Sequence, residues 1–125
     1  MPLVRVDIIK GKSEEYKRKL LDCIHEGLMD SIGIGDWDRF QRIVEIERQD
    51  FETSRDKTDD FMIIEITMFR GRTREQKKAL IGRITSGLAE TLHIRPTDVF
   101  IVIREPADEN WGLGGKQRGT PETEE

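Results

Sequence analysis

Cysteine is nearly absent from this chain. Cys23 stands alone, which excludes an internal disulfide and any thiolate metal cluster and leaves packing on the side of a helix as its expected role. The two histidines, His25 and His93, have no spaced histidine, cysteine or carboxylate partner that would make a metal site. Neither a metal nor any other cofactor is therefore expected. His25 is expected on the flank of one helix, and His93 in the last turn of another, where an imidazolium complements the helix dipole. No apolar run approaches the ~18 residues a membrane helix requires, and Asp7, Lys10 and Lys12 stand where a signal peptide would carry its apolar core. A cytoplasmic protein with no membrane partner is the expectation. Positive charge is not in excess: 21 lysines and arginines face 25 acidic residues, a balance that argues against a nucleic-acid partner. Glycine-rich phosphate loops, nucleophile elbows and dinucleotide fingerprints are missing too.

What is present is an internal repeat. Shifted by 60 residues, the chain places Gly11 on Gly71, Glu15 on Glu75, Leu20 on Leu80, Ile24 on Ile84, Gly27 on Gly87 and Leu28 on Leu88. The register runs on without a gap through Ile34 and Ile94, Asp38 and Asp98, Phe40 and Phe100, Ile43 and Ile103, and Glu45 and Glu105. A repeat of this length changes the fold assignment more than any local signal.

Each copy reads as strand, helix, strand. Leu3, Val4, Val6, Ile8 and Ile9 predict the first strand; Ser13 caps a helix with Glu14 and Glu15 in its favourable first turn, and Gly33 and Gly35 stop it. Phe40 to Ile46 predicts the second strand. In the second copy, residues 61 to 69 form the strand, Thr73 and Gln76 a capping box, and Leu80, Ile84, Leu88 and Leu92 an apolar stripe. Pro96 bars that helix from continuing, and residues 99 to 104 form the last strand. The fold class is α+β: a tandem β-α-β repeat with parallel, right-handed crossovers, making a four-stranded mixed sheet with two helices on one face. Residues 1–115 are expected to be one domain of two units, about 2–48 and 61–105, joined by a polar, mobile linker over 49–60. Residues 116–125 are expected to be a disordered tail. The sheet's second face, lined by Val4, Val6, Ile64 and Ile66 or their neighbours, needs a cover that a chain of this size lacks, and another subunit would supply it.

Four segments in order resemble a known family. They are Pro2-Leu3 after the initiator methionine, Asp38-Arg39-Phe40-Gln41, Arg70-Gly71-Arg72 followed by Glu75-Gln76-Lys77, and Ala107-Asp108-Glu109-Asn110-Trp111-Gly112-Leu113-Gly114. Together they resemble the tautomerase superfamily, and most closely the branch that contains malonate semialdehyde decarboxylase. Two departures stand out: a charged linker replaces a glycine-rich segment after Glu47, and Gly112-Leu113 stands where that branch prefers Ser-Phe. The resemblance implies a homotrimer and a small oxo-carboxylate substrate.

It also implies roles. Removal of Met1, which a small second residue normally permits, would leave Pro2 as a secondary amine. An ordinary α-amino group titrates near ~7.7–8.0; an apolar pocket or a nearby cation disfavours its charged form, and a neighbouring carboxylate favours it. Neutral, Pro2 is a general base; charged, it is an acid. Arg70 and Arg72 follow a strand, and alternation would send both side chains to the same side, where they can grip a carboxylate and polarise a carbonyl. Asp38 would work beside the proline, although its repeat partner Asp98 follows Pro96-Thr97 at a similar corner, which is also what a simple turn residue looks like. Trp111, Phe40 and Trp37 are candidate pocket walls. The expected chemistry is keto–enol tautomerisation or decarboxylation of the malonate semialdehyde type. Hydration of a cis-3-haloacrylate and a non-catalytic trimeric binding protein of the same fold are the alternatives.

Overall fold

The computed structural model describes residues 1–119. β1 (Leu3–Ile9), α1 (Glu14–Ile32) and β2 (Phe40–Ile46) form the first unit; β3 (Met62–Thr67), α2 (Arg74–Leu92) and β4 (Val99–Arg104) form the second. The strand order is β2-β1-β3-β4. β1–β2 and β3–β4 are parallel, while the two units meet through the antiparallel pair β1–β3. No helix among the described residues is long and apolar enough to cross a membrane.

Local signals set the helix ends. The Ser13 hydroxyl accepts from the Tyr16 amide at 3.1 Å. Thr73 and Gln76 satisfy each other reciprocally, at 3.1 and 2.9 Å, which pairs two donors that a helix start otherwise leaves open. Gly33 ends α1 with φ 70°, in the left-handed region where glycine carries no Cβ penalty. Its repeat partner His93 takes the same conformation with φ 57°. His93 is thus the residue beyond the last turn, not within it.

The core lies between the sheet and the helices. Leu20, Ile24 and Leu28 of α1 and Leu80, Ile84 and Leu88 of α2 pack on Val4, Val6, Ile64 and Ile66. The sequence leaves open whether these four strand residues or their neighbours line the sheet's second face, and the structure turns these four towards the helices. The signal was present: Arg5, Asp7 and Glu65 alternate with them, so the charged parity is the one turned away from the helices. That second face carries the Arg5–Asp7 and Arg104–Glu65 ion pairs beside the exposed Phe40, Phe100 and Val102. Gly27 and Gly87 mark where the helices approach. A Cβ at Gly27 would stand 2.8 Å from Ile84 Cγ1, and one at Gly87 2.6 Å from Cys23 Sγ. Cys23 is therefore a packing residue, and burial pushes its thiol pKa up.

Two expectations about the connecting segments are corrected. The linker is tied down: Phe51, an apolar residue in a charged stretch, is buried with Ile9 and Phe61 and meets Phe61 edge to face at 5.6 Å. Lys57 reaches the Thr97 carbonyl at 2.7 Å, and Arg95 reaches that of Asp56 at 2.6 Å. The segment expected to be a tail begins as structure. β5 (Gly112–Leu113) and β6 (Lys116–Gln117) form a hairpin whose two turn residues, Gly114 and Gly115, both have positive φ, as a type I′ turn requires. Residues 120–125 of the expected tail lie outside the described residues.

Candidate active site

Strand direction gathers the candidate residues at one end of the sheet. Leu3 pairs with Phe40 on one side and Thr67 on the other, so the start of β1 lies between the start of β2 and the end of β3. Pro2 is buried there, at the head of a central strand. The Met68 amide bonds to the Arg104 carbonyl at 2.9 Å, which brings the end of β4 to the same place. The chain after β4 then folds back until Trp111 meets Phe69 edge to face at 4.7 Å.

Asp38 sits at this end in an unusual state. Only 6% of it is exposed; its Oδ2 lies 3.5 Å from the Met1 nitrogen, and its buried Oδ1 has no hydrogen-bond partner among the described residues. A buried polar atom without a partner is uncommon and calls for a ligand, water or chemistry. The repeat supplies an internal control. Asp98, its counterpart, is also fully buried, yet it accepts from the Thr58 amide at 3.0 Å, the Thr58 hydroxyl at 2.5 Å and Arg95 Nε at 3.3 Å. Burial alone would raise the Asp98 pKa, but the Thr58 donors and Arg95 outweigh it and hold the carboxyl below the usual range.

The arginines diverge. β3 ends at Thr67, and Gly71 has φ 123°, so the alternation that would have aimed both side chains together does not reach them. Arg70 is exposed, and its Nε donates to the Glu105 carbonyl at 3.2 Å. Arg72 is half-buried and makes no ion pair or side-chain hydrogen bond among the described residues.

Beside the N-terminus lies a cavity of about 540 Å³, walled by Met1, Leu3, Phe40, Phe69, Trp111 and Leu113 with Arg118 at its edge. Phe40 and Trp111 both line it. Trp37 does not: it is 77% exposed and its indole covers Gly35, where a Cβ would come within 2.5 Å of the ring nitrogen. Neither Arg70 nor Arg72 lines the cavity. Arg118 was overlooked because it fell in the stretch read as a tail; its guanidinium stacks 3.8 Å from the centre of the Phe69 ring and pairs with Asp108 at 2.5 Å. His25 was misplaced. It is buried, neither ring nitrogen has a hydrogen bond, and Nε2 lies 3.6 Å from Asp36 on the loop that carries Asp38. Gln41, on β2, donates to the Leu21 carbonyl at 3.0 Å.

Comparison with known proteins agrees with this geometry. A family profile described as "Tautomerase enzyme" matches residues 38–114, and a second of the same description matches residues 2–51. A probable tautomerase, YusQ of Bacillus subtilis, is 34% identical over 119 residues, covering 91% of this chain and 94% of its own. The 2-hydroxymuconate tautomerase of Comamonas testosteroni is 39% identical over 51 residues, which are 41% of this chain and 81% of that protein. That match is the size of one repeat unit. Among solved structures, the FG41 malonate semialdehyde decarboxylase inhibited by 3-bromopropiolate is 30% identical, with a TM-score of 0.80 over 90% of this chain and 88% of that one. An asymmetric trimer of a fused 4-OT shares the fold at 24% identity and a TM-score of 0.82, over 92% of this chain and 94% of that one. With a burial pattern, a repeat and whole-length relatives in agreement, the chain belongs to the tautomerase family.

Proposed function

We propose that this protein catalyses proton transfer on an oxo acid through the amine of Pro2, freed by removal of Met1, and that it works as a homotrimer. The observation that carries the reading is Asp38: a buried carboxylate with one oxygen 3.5 Å from the Met1 nitrogen, one residue ahead of the buried Pro2, and the other unpartnered, at a corner whose counterpart is fully satisfied. Once Met1 is removed, a buried carboxylate beside the new chain start would favour the charged form of the Pro2 amine. In tautomerisation of an enol, the ammonium gives its proton to carbon while the enol hydroxyl proton passes to Asp38 and then back to the amine, so the enzyme is regenerated. Arg72, without a partner, takes the substrate carboxylate. Arg70 polarises the oxo oxygen, and Phe40 and Trp111 wall the site. Fused 4-OT relatives form trimers, and the exposed apolar residues of the second sheet face support the same assembly here.

Decarboxylation is the second reading, favoured by the 30% identity to the malonate semialdehyde decarboxylase and by the same Asp38 contact. The ammonium then hydrogen-bonds the carbonyl oxygen, the bond to the carboxylate carbon breaks, carbon dioxide leaves, and the electron pair remains as an enolate that takes the ammonium's proton on carbon, after which the amine is reprotonated from solvent. Intact-mass measurement on protein from its native host tests the shared premise, and retained Met1 refutes both. An NMR titration of the Pro2 nitrogen follows. A pKa above the ordinary ~7.7–8.0 supports an amine working as an acid, and a value below it supports a neutral base and proton abstraction.

A further inference from the structure

His25 is a buried polar group that the proposed chemistry does not use. Its side chain is 2% exposed on α1, and neither ring nitrogen has a hydrogen-bond partner among the described residues. Packing alone would be served better by leucine, because a buried polar atom without a partner loses its water and gains nothing in exchange. One group comes near. The Asp36 carboxylate lies 3.6 Å from Nε2, a few tenths of an ångström beyond hydrogen-bond length. Asp36 is 90% exposed and makes no other ion pair and no side-chain hydrogen bond among the described residues. A neutral imidazole carries one N–H, and a carboxylate on this side places it on Nε2.

The repeat shows what this pair is attached to. Three side-chain contacts tie residues 36–41 to α1: Asp36 with His25, Arg39 Nη2 with Asp22 at 2.8 Å, and Gln41 Nε2 with the Leu21 carbonyl at 3.0 Å. Asp38 lies between the first tie and the second. The other copy has none of them. Thr85 and Pro96 stand at the places of His25 and Asp36, Gly82 and Val99 at those of Asp22 and Arg39, and Ile101 at that of Gln41. The Thr85 hydroxyl turns back on its own helix, to the Ile81 carbonyl at 2.8 Å. Asp98 needs no such bracket, because Thr58 and Arg95 hold its carboxylate directly. Asp38 Oδ1 has no partner of that kind, so its direction is left to the backbone that carries it.

The structure assigns His25 as a positioning residue: Nε2–H holds Asp36, and the segment so held sets where the Asp38 carboxylate meets the chain start. His25 is not placed against substrate or Pro2. Its value to turnover rests on the acid–base reading above; its hold on Asp38 does not.

The test uses the full chain lacking Met1, with aspartate carboxyl carbons isotope-labelled for NMR and the signals of Asp38 and Asp98 assigned by their loss in Asp38→Asn and Asp98→Asn. His25→Leu is expected to shift the Asp38 signal and leave that of Asp98 in place. Its melting temperature is expected at or above wild type, because an apolar side chain of similar size replaces an unsatisfied polar one. Asp36→Ala, at an exposed position where folding is not at stake, is expected to shift the Asp38 signal more in wild type than in the His25→Leu background, as two groups acting through one contact must. With oxaloacetate as probe, His25→Leu and Asp36→Ala are each expected to lower kcat on the order of tenfold or more, with KM near wild type. An unmoved Asp38 signal in His25→Leu, shifts that merely add in the double variant, or a melting temperature that falls in step with kcat overturns the assignment. Wild-type turnover in Asp38→Asn removes the acid–base reading and leaves the hold on Asp38 standing; an unmoved Asp38 signal beside an inactive Asp38→Asn does the reverse.

Discussion

Gly27→Ala and Gly82→Ala are the same substitution in two helices, and the structure assigns them opposite signs. Gly82 is exposed in the middle of α2, and a Cβ there meets nothing within 4 Å. Alanine at such a site stabilises by about 0.5–1 kcal/mol, because the unfolded chain loses conformational freedom. At Gly27 the added Cβ would stand 2.8 Å from Ile84 Cγ1, where carbon atoms prefer about 3.5–4.0 Å. Ile84 is fully buried and its backbone nitrogen lies 3.7 Å from the same point, so relief requires α1 and α2 to separate. Overpacking of this kind costs about 1–3 kcal/mol; set against the same helix gain, the net loss is up to about 2.5 kcal/mol. For a chain of this size that is roughly 3–6 °C of midpoint per kcal/mol. Thermal unfolding followed by circular dichroism, at one matched protein concentration so that assembly contributes equally, should show Gly82→Ala above wild type and Gly27→Ala below it. Shifts of the same sign would refute the tight crossing.

Other expectations are more local. His93→Gly should raise stability by about 0.5–1 kcal/mol in a urea titration, since the imidazole-bearing residue holds a left-handed conformation that glycine adopts without strain. Arg72→Ala should lower kcat/KM for the enolised substrate by about 10²-fold or more, whereas Lys12→Ala, at its repeat position, should leave turnover near wild type; equal effects would undo the site assignment. Asp98→Asn should cost about 1–3 kcal/mol by leaving donors mismatched. Because the folded Asp98 pKa lies below the ordinary carboxylate value, its stabilisation is present above about pH 4 and is lost as pH falls through the folded value. Urea midpoints measured from pH 7 to pH 3 should therefore fall more steeply for wild type than for Asp98→Asn below about pH 4.

The elements were legible because they rest on local physics. Ser13, Gly33, Thr73 and Gln76 act through neighbours within four residues, and β2 and β4 run over the residues expected of them. The 60-residue repeat carried the topology. Burial that depends on a single residue in a contrary context was not legible: Phe51 in a charged stretch anchors the linker, and His25 is buried where its neighbours suggest a helix flank. Alternation reported which strand residues share a face; deciding which face met the helices needed the charges at Arg5, Asp7 and Glu65 to be weighed together. Asp38 and Asp98 look alike in sequence, and their difference lies in the partners that only the folded chain brings up.

On the proposed function, that difference explains how a repeat would carry one site instead of two. Removal of Met1 frees the Pro2 nitrogen on this reading, whereas its counterpart Met62 lies inside the chain, so the second corner would have no amine to offer. Its aspartate has instead been closed by the linker, through Thr58, and by Arg95. The cations have followed the same course: Lys10 and Lys12, counterparts of Arg70 and Arg72, are paired with Glu47 at 3.1 Å and Asp60 at 2.6 Å, while Arg72 has no such partner among the described residues. Satisfied charges stabilise and are inert towards ligands; an unsatisfied carboxylate and an unpaired guanidinium at one sheet end are costly to maintain without a ligand. If the second corner is structural, then Thr58→Ala should weaken folding without altering turnover by the folded fraction, and a proportional loss of both kcat and stability would show that the two corners still act together.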